Sequence, residues 1–96
     1  MIQGASKPDE EVLFVAHICH PSPGANDNAT GVGTLLEMAR AFAQARQKPA
    51  RSIIFAAVTA EEQGLLGSWA YVRAHRSELD RVVAYVNFDG GSGLVL

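Results

Sequence analysis

Residues 51–58, Arg-Ser-Ile-Ile-Phe-Ala-Ala-Val, form an unbroken apolar run and are followed at once by Thr59-Ala60-Glu61-Glu62. Eight residues rich in β-branched and aromatic side chains fit a strand better than a helix. Because the run is continuous rather than alternating, both faces of that strand must be covered, as in a parallel sheet with helices on either side. Outward from this run, residues 11–16 (Glu-Val-Leu-Phe-Val-Ala) and 82–88 (Val-Val-Ala-Tyr-Val-Asn-Phe) read as two further strands. Between the first two the period changes. Val32, Leu35, Leu36, Ala39, Phe42 and Ala43 recur at three- and four-residue steps and define one helical face. Asn28 or Thr30 is a candidate cap at its start, and Lys48-Pro49 marks its end. A second helix follows the 51–58 strand, with Leu65, Leu66, Trp69 and Val72 on its inner stripe and Arg73, Arg76 and Glu78 outside. Residues 20–28 hold two prolines, a glycine and Asn-Asp-Asn, the composition of a loop.

The order strand, helix, strand, helix, strand predicts an α/β fold with a mainly parallel sheet and right-handed crossovers. The first and last strands are expected at its edges, with exposed faces. With 96 residues there is room for one small domain. Hydrophobic residues make up 48% and charged residues 19%, a composition that can bury a core and argues against intrinsic disorder. The net charge of −2 offers no basic field to nucleic acid or anionic lipid. No apolar stretch approaches the roughly 20 residues of a membrane span. The first eleven residues lack the apolar core of a signal peptide. A single cysteine, Cys19, rules out an internal disulfide and leaves the compartment open. The closing Gly-Leu-Val-Leu looks like a strand that has only begun, so the expectation is one partial domain over residues 1–96, truncated at both ends.

In an open parallel sheet, ligands gather outside the carboxyl ends of the strands. His17 follows the first strand, Asp27 lies in the loop entering the first helix, Glu61 and Glu62 follow the second strand, and Asp89 ends the third. Each has an ordinary reading when taken alone. Paired glutamates suit a helix N-terminus, Asp27 and Asp89 suit turns, and a histidine at a strand end can be structural. Their arrival at one rim favours chemistry instead. Converging carboxylates repel one another strongly where the dielectric is low, and a divalent cation removes that repulsion. Histidine and carboxylate donors suit zinc. Of two adjacent glutamates, one can bind metal while the other accepts a proton.

Three stretches carry a resemblance: Gly24-Ala25-Asn26-Asp27-Asn28-Ala29-Thr30-Gly31, Ala60-Glu61-Glu62-Gln63-Gly64-Leu65-Leu66-Gly67-Ser68, and Val86-Asn87-Phe88-Asp89. In order, spacing and context this chain resembles the co-catalytic zinc aminopeptidases of family M28, from residue 11 onward. The resemblance implies a three-layer α/β/α zinc-exopeptidase core that hydrolyses the N-terminal residues of peptides by metal-activated water. It implies that His17 and Asp89 bind one zinc, that Asp27 bridges two, that Glu62 binds the second, and that Glu61 is the general base. A complete site of this kind takes two zincs, and this chain one. Peptides are the implied substrates, with neither nucleic acid nor membrane as a partner. Relatives of this type are often exported.

The chain also departs from the pattern. The usual His-x-Asp is replaced by His17-Ile18-Cys19-His20-Pro21, so Cys19 stands where an aspartate would support the imidazole. Cys19 reads as a small residue near the site or as a thiolate ligand, and His20 as a loop residue or an accessory ligand. The family's further histidine, downstream of the Asp89 position, has no counterpart in these 96 residues. Two other readings therefore stand beside the aminopeptidase: a glutaminyl-cyclase-like enzyme using one zinc, and a non-catalytic metal-binding fragment. His75 is assigned no chemistry. Trp69 and Phe42 are expected in the core, and Gly31-Val32-Gly33 is too short a signal for a nucleotide loop.

Overall fold

The fold is seen in a computed structural model, which describes residues 1–19, 24–61 and 64–90. Three parallel strands, β1 (Lys7–His17), β2 (Arg51–Val58) and β3 (Val82–Phe88), form one sheet in the order β2-β1-β3. Helix α1 (Gly31–Gln44) links β1 to β2. Helix α2 (Leu66–Ala74) and a 3₁₀ turn over Arg76–Arg81 link β2 to β3. The expected βαβαβ order and parallel pairing are present.

The first strand is not at an edge. β1 lies in the middle, flanked on both sides, and so contributes most of the core: Leu13, Val15 and Ala16 are buried. It is also longer than its apolar run, because Lys7–Glu10 continue the pairing across a register shift between Lys7 and Glu11. The outer edge of β2 is occupied at one point, where Ile2 and Ile53 exchange two backbone hydrogen bonds of 2.8 Å in an antiparallel bridge. Among the described residues, no strand pairs with the outer edge of β3.

Alternation along β1 sends successive side chains to opposite faces. On one face Phe14 stacks between Phe55 of β2 and Phe88 of β3, at 5.8 and 5.9 Å. Phe42 of α1 covers Phe55 at 6.4 Å. On the other face Leu13 and Val15 look toward Tyr71 and Val72 of α2 across a cavity of about 400 Å³. The helices thus lie on opposite sides of the sheet, and the chain has three layers.

Both helices depart in phase from the sequence reading. In α1, Leu35 is buried (3% exposed) but its neighbour Leu36 is 65% exposed. A 14-residue helix offers only one side of its apolar arc to a three-stranded sheet. In α2 most of the expected inner stripe faces outward: Leu65, Leu66 and Trp69 are exposed, Trp69 to 59%, while Val72 alone of the four lines the cavity. The cause lies at the helix start. Leu65 takes a left-handed conformation (φ 61°), and the amides of Leu66 and Gly67 bond to Ala60 O (3.1 Å) and Thr59 O (3.0 Å). A Cβ on Gly67 would collide with the Thr59 backbone. This close approach fixes the rotation of α2 and turns Ser68 and Tyr71, rather than Trp69, toward the sheet.

Candidate metal centre

Parallel register places the ends of β1 and β3 side by side, with Ala16 opposite Phe88, so that His17 and Asp89 meet just beyond the last pair. The turn Ala25–Thr30, which leads into α1, brings Asp27 to the same point. There Nε2 of His17 lies 2.9 Å from Asp27 Oδ1, 3.1 Å from Asp89 Oδ1 and 3.9 Å from Glu61 Oε2. One donor atom from each of His17, Asp27 and Asp89 falls within a 4.8 Å group. The sequence-predicted residues His17, Asp27, Asp89 and Glu61 are therefore together. Glu62 and His20, which the sequence reading also named, lie outside the described residues.

A ring nitrogen carries at most one proton, yet this one faces three carboxylates. His17 is also buried, at 2% exposure. Burial opposes its charge, but hydrogen bonds to Asp89 and to the Cys19 side chain and carbonyl, with the nearby charge of Glu61, outweigh it. The imidazole pKa is raised from 6.5 to about 9. In this state a proton provides the positive charge that the cluster needs. A divalent cation with a preference for nitrogen and oxygen donors would supply more of it, and the donor set of one imidazole and two carboxylates fits such an ion.

The groups around the cluster fix its orientation. His17 Nδ1 lies 3.0 Å from the carbonyl oxygen of Cys19, to which it donates. In the neutral ring this leaves the Nε2 lone pair directed at the carboxylates. A backbone carbonyl thus does what the missing aspartate of His-x-Asp would do, so the departure at Cys19 does not cost the imidazole its support. The Cys19 sulfur has a second contact, accepting the backbone N–H of Glu61 at 3.0 Å. That bond ties the residue after β1 to the residues after β2.

Asn28 is a contact the sequence reading missed. Instead of capping α1, its buried carboxamide bonds backbone groups of both ligand-bearing strands. No side-chain cap is present at Thr30 either; its hydroxyl donates to Asn26 O at 2.6 Å. The partners of Asn28 are 11, 60 and 62 residues away in the chain, and no local pattern announces them. His75 ends α2, stacks on Tyr71 with ring centroids 4.0 Å apart and donates through Nδ1 to the Tyr71 carbonyl at 2.9 Å.

The sequence matches the family model of Peptidase family M28 over residues 1–93. The chain belongs to peptidase family M28. It is similar to Aminopeptidase NAALADL1 of Mus musculus, 42% identical over 94 residues, which are 93% of this chain and 13% of that protein. A protein of Pyricularia oryzae named Probable zinc metalloprotease is 42% identical over 81 residues, covering 84% of this chain and 16% of its own length. The Glutamate carboxypeptidase 2 homolog of Caenorhabditis elegans is 38% identical over 93 residues, covering 92% of this chain and 12% of its own. The chain therefore spans about an eighth to a sixth of the length of these curated relatives. Within the M28 family this segment carries the His17, Asp27 and Asp89 cluster at the carboxyl end of its sheet.

Proposed function

We propose that this chain supplies the zinc-binding core of a metallo-aminopeptidase that hydrolyses the N-terminal residues of peptides. The observation that carries the reading is the convergence of one imidazole nitrogen and two aspartate oxygens at the sheet rim, with a third carboxylate alongside. His17, Asp27 and Asp89 would hold the zinc, and the M28 resemblance gives Glu62 and a downstream histidine to a second one. Zinc held there would polarise the scissile carbonyl and lower the pKa of water. His17, with Nδ1 donating to the Cys19 carbonyl, keeps Nε2 turned to the centre. Glu61, its backbone held by the Cys19 sulfur, has Oε2 at the edge of the cluster. Oε2 accepts the proton of the attacking water and passes it to the departing amine.

The test is made on the full-length protein with an aminoacyl anilide, with zinc content measured in parallel. Glu61→Gln should retain its zinc and lose about 10²–10⁴-fold in kcat. Asp27→Ala should lose zinc and activity together. Full turnover by Glu61→Gln would remove that residue from the mechanism, and full turnover by Asp27→Ala would remove the site. One relative bears the name of a carboxypeptidase homolog, so the same assay should include a peptide blocked at its amino end. Hydrolysis of the blocked peptide alone would replace the aminopeptidase reading with a carboxypeptidase one.

A further inference from the structure

Asn28 is 3% exposed, and its carboxamide has three backbone partners. Nδ2 donates to the carbonyl of His17 at 3.1 Å and to that of Phe88 at 2.7 Å. Oδ1 accepts the N–H of Gly90 at 2.6 Å. The first partner is the backbone of His17 itself, and the other two are the residues on either side of Asp89. Asp27 is the preceding residue in the chain. One side chain is therefore joined, by covalent or hydrogen bonds, to the backbone beside all three members of the cluster.

We propose that Asn28 is the positioning residue of the metal centre, setting the separation of His17, Asp27 and Asp89 by clamping the ends of β1 and β3. The proposal rests on the metal reading given above. Two donors and one acceptor are needed at this point, and the carboxamide is the side chain of this size that offers them. Its orientation follows from its partners, since the reverse would set oxygen against two carbonyls and NH₂ against an N–H. Aspartate keeps the shape and the bond from Gly90, but when ionised it has no proton for the two carbonyls. Serine offers one donor and alanine none. Gly31 is packed so closely that a Cβ there would collide with the Asn28 carboxamide and lie 2.5 Å from Phe88 O.

The experiment uses the full-length protein as wild type, Asn28→Asp, Asn28→Ala and Asp89→Ala. Zinc affinity is read by competition with a chromogenic chelator, and ligand geometry by the visible absorption of the Co²⁺-substituted protein. Loss of a group that orients metal ligands typically weakens binding about 10- to 100-fold, and that loss is expected of both Asn28 variants, with an altered Co²⁺ spectrum. A purely structural role would lower the melting temperature and leave both readings unchanged in the folded protein. Wild-type zinc affinity and Co²⁺ spectrum in Asn28→Asp, beside a defective Asp89→Ala, would overturn the positioning role and leave the metal reading standing. No zinc binding by the wild type would overturn both. The Gly90 amide gives a reading that needs no variant: its exchange with solvent should be slow in the wild type, and exchange at the rate of an unstructured peptide would overturn the clamp.

Discussion

At the scale of single residues, the raised pKa of His17 makes a definite statement about pH. In the metal-free fold the value is about 9 against 6.5 for the free side chain, so the protonated imidazole stabilises the folded state. That stabilisation is present in full below pH 6.5 and is lost as the pH rises through 9. A bound cation requires the neutral ring, so at neutral pH its uptake must expel a proton. Calorimetric titration of zinc at pH 7 in buffers of different ionisation enthalpy should show about one proton released from His17. His17→Asn should abolish that release along with tight binding. Tight uptake at pH 7 without proton release would mean that His17 is already neutral there. His17, Asp27, Glu61 and Asp89 were legible in the sequence because each ends or follows a recognisable strand or loop. Asn28 was not, because a carboxamide is read by its partners, and these lie on segments that only the folded chain brings near.

Elements are legible to the extent that periodicity alone fixes them. Three strands and two helices follow from their patterns, but strand order does not, because a continuous apolar run reads alike in any position of a parallel sheet. The burial of Leu13 and Val15 on one side of β1 and the stacking of Phe14 on the other express its central place. The phase of a helix is likewise settled by contacts. Leu35 and Leu36 are adjacent and chemically identical, yet one is buried and the other faces water. Leu35→Ala should lower the unfolding free energy by about 2–4 kcal/mol through the cavity it leaves. Leu36→Ala should change it by no more than about 0.5 kcal/mol. Urea denaturation of the two variants compares them directly, and equal losses would contradict the rotation of α1 described here.

On the scale of the whole chain, the two layers of helix are unequal. α1 is drawn onto the sheet by the aromatic stack, whereas α2 stands over a cavity of about 400 Å³ and turns its larger apolar residues outward. The radius of gyration of 14.3 Å exceeds the value of about 12.5 Å expected for a compact chain of this length. No described helix is long and apolar enough to cross a membrane. Trp69 is the one tryptophan of the sequence, which makes it a spectroscopic reporter for this face. If α2 is rotated as described, Trp69 in this chain should emit as indole does in water and be quenched by acrylamide almost as readily. Trp69→Ser should then alter stability by no more than about 0.5 kcal/mol, as exposed positions do. A tryptophan packed in the core, as the helical pattern had led one to expect, would cost about 3–5 kcal/mol when truncated and would resist the quencher. The two values are far enough apart for one denaturation curve to decide between them. A large loss would mean that α2 turns its stripe inward and closes the cavity. A small one would mean that the Gly67–Thr59 contact, rather than hydrophobic periodicity, sets the orientation of the helix.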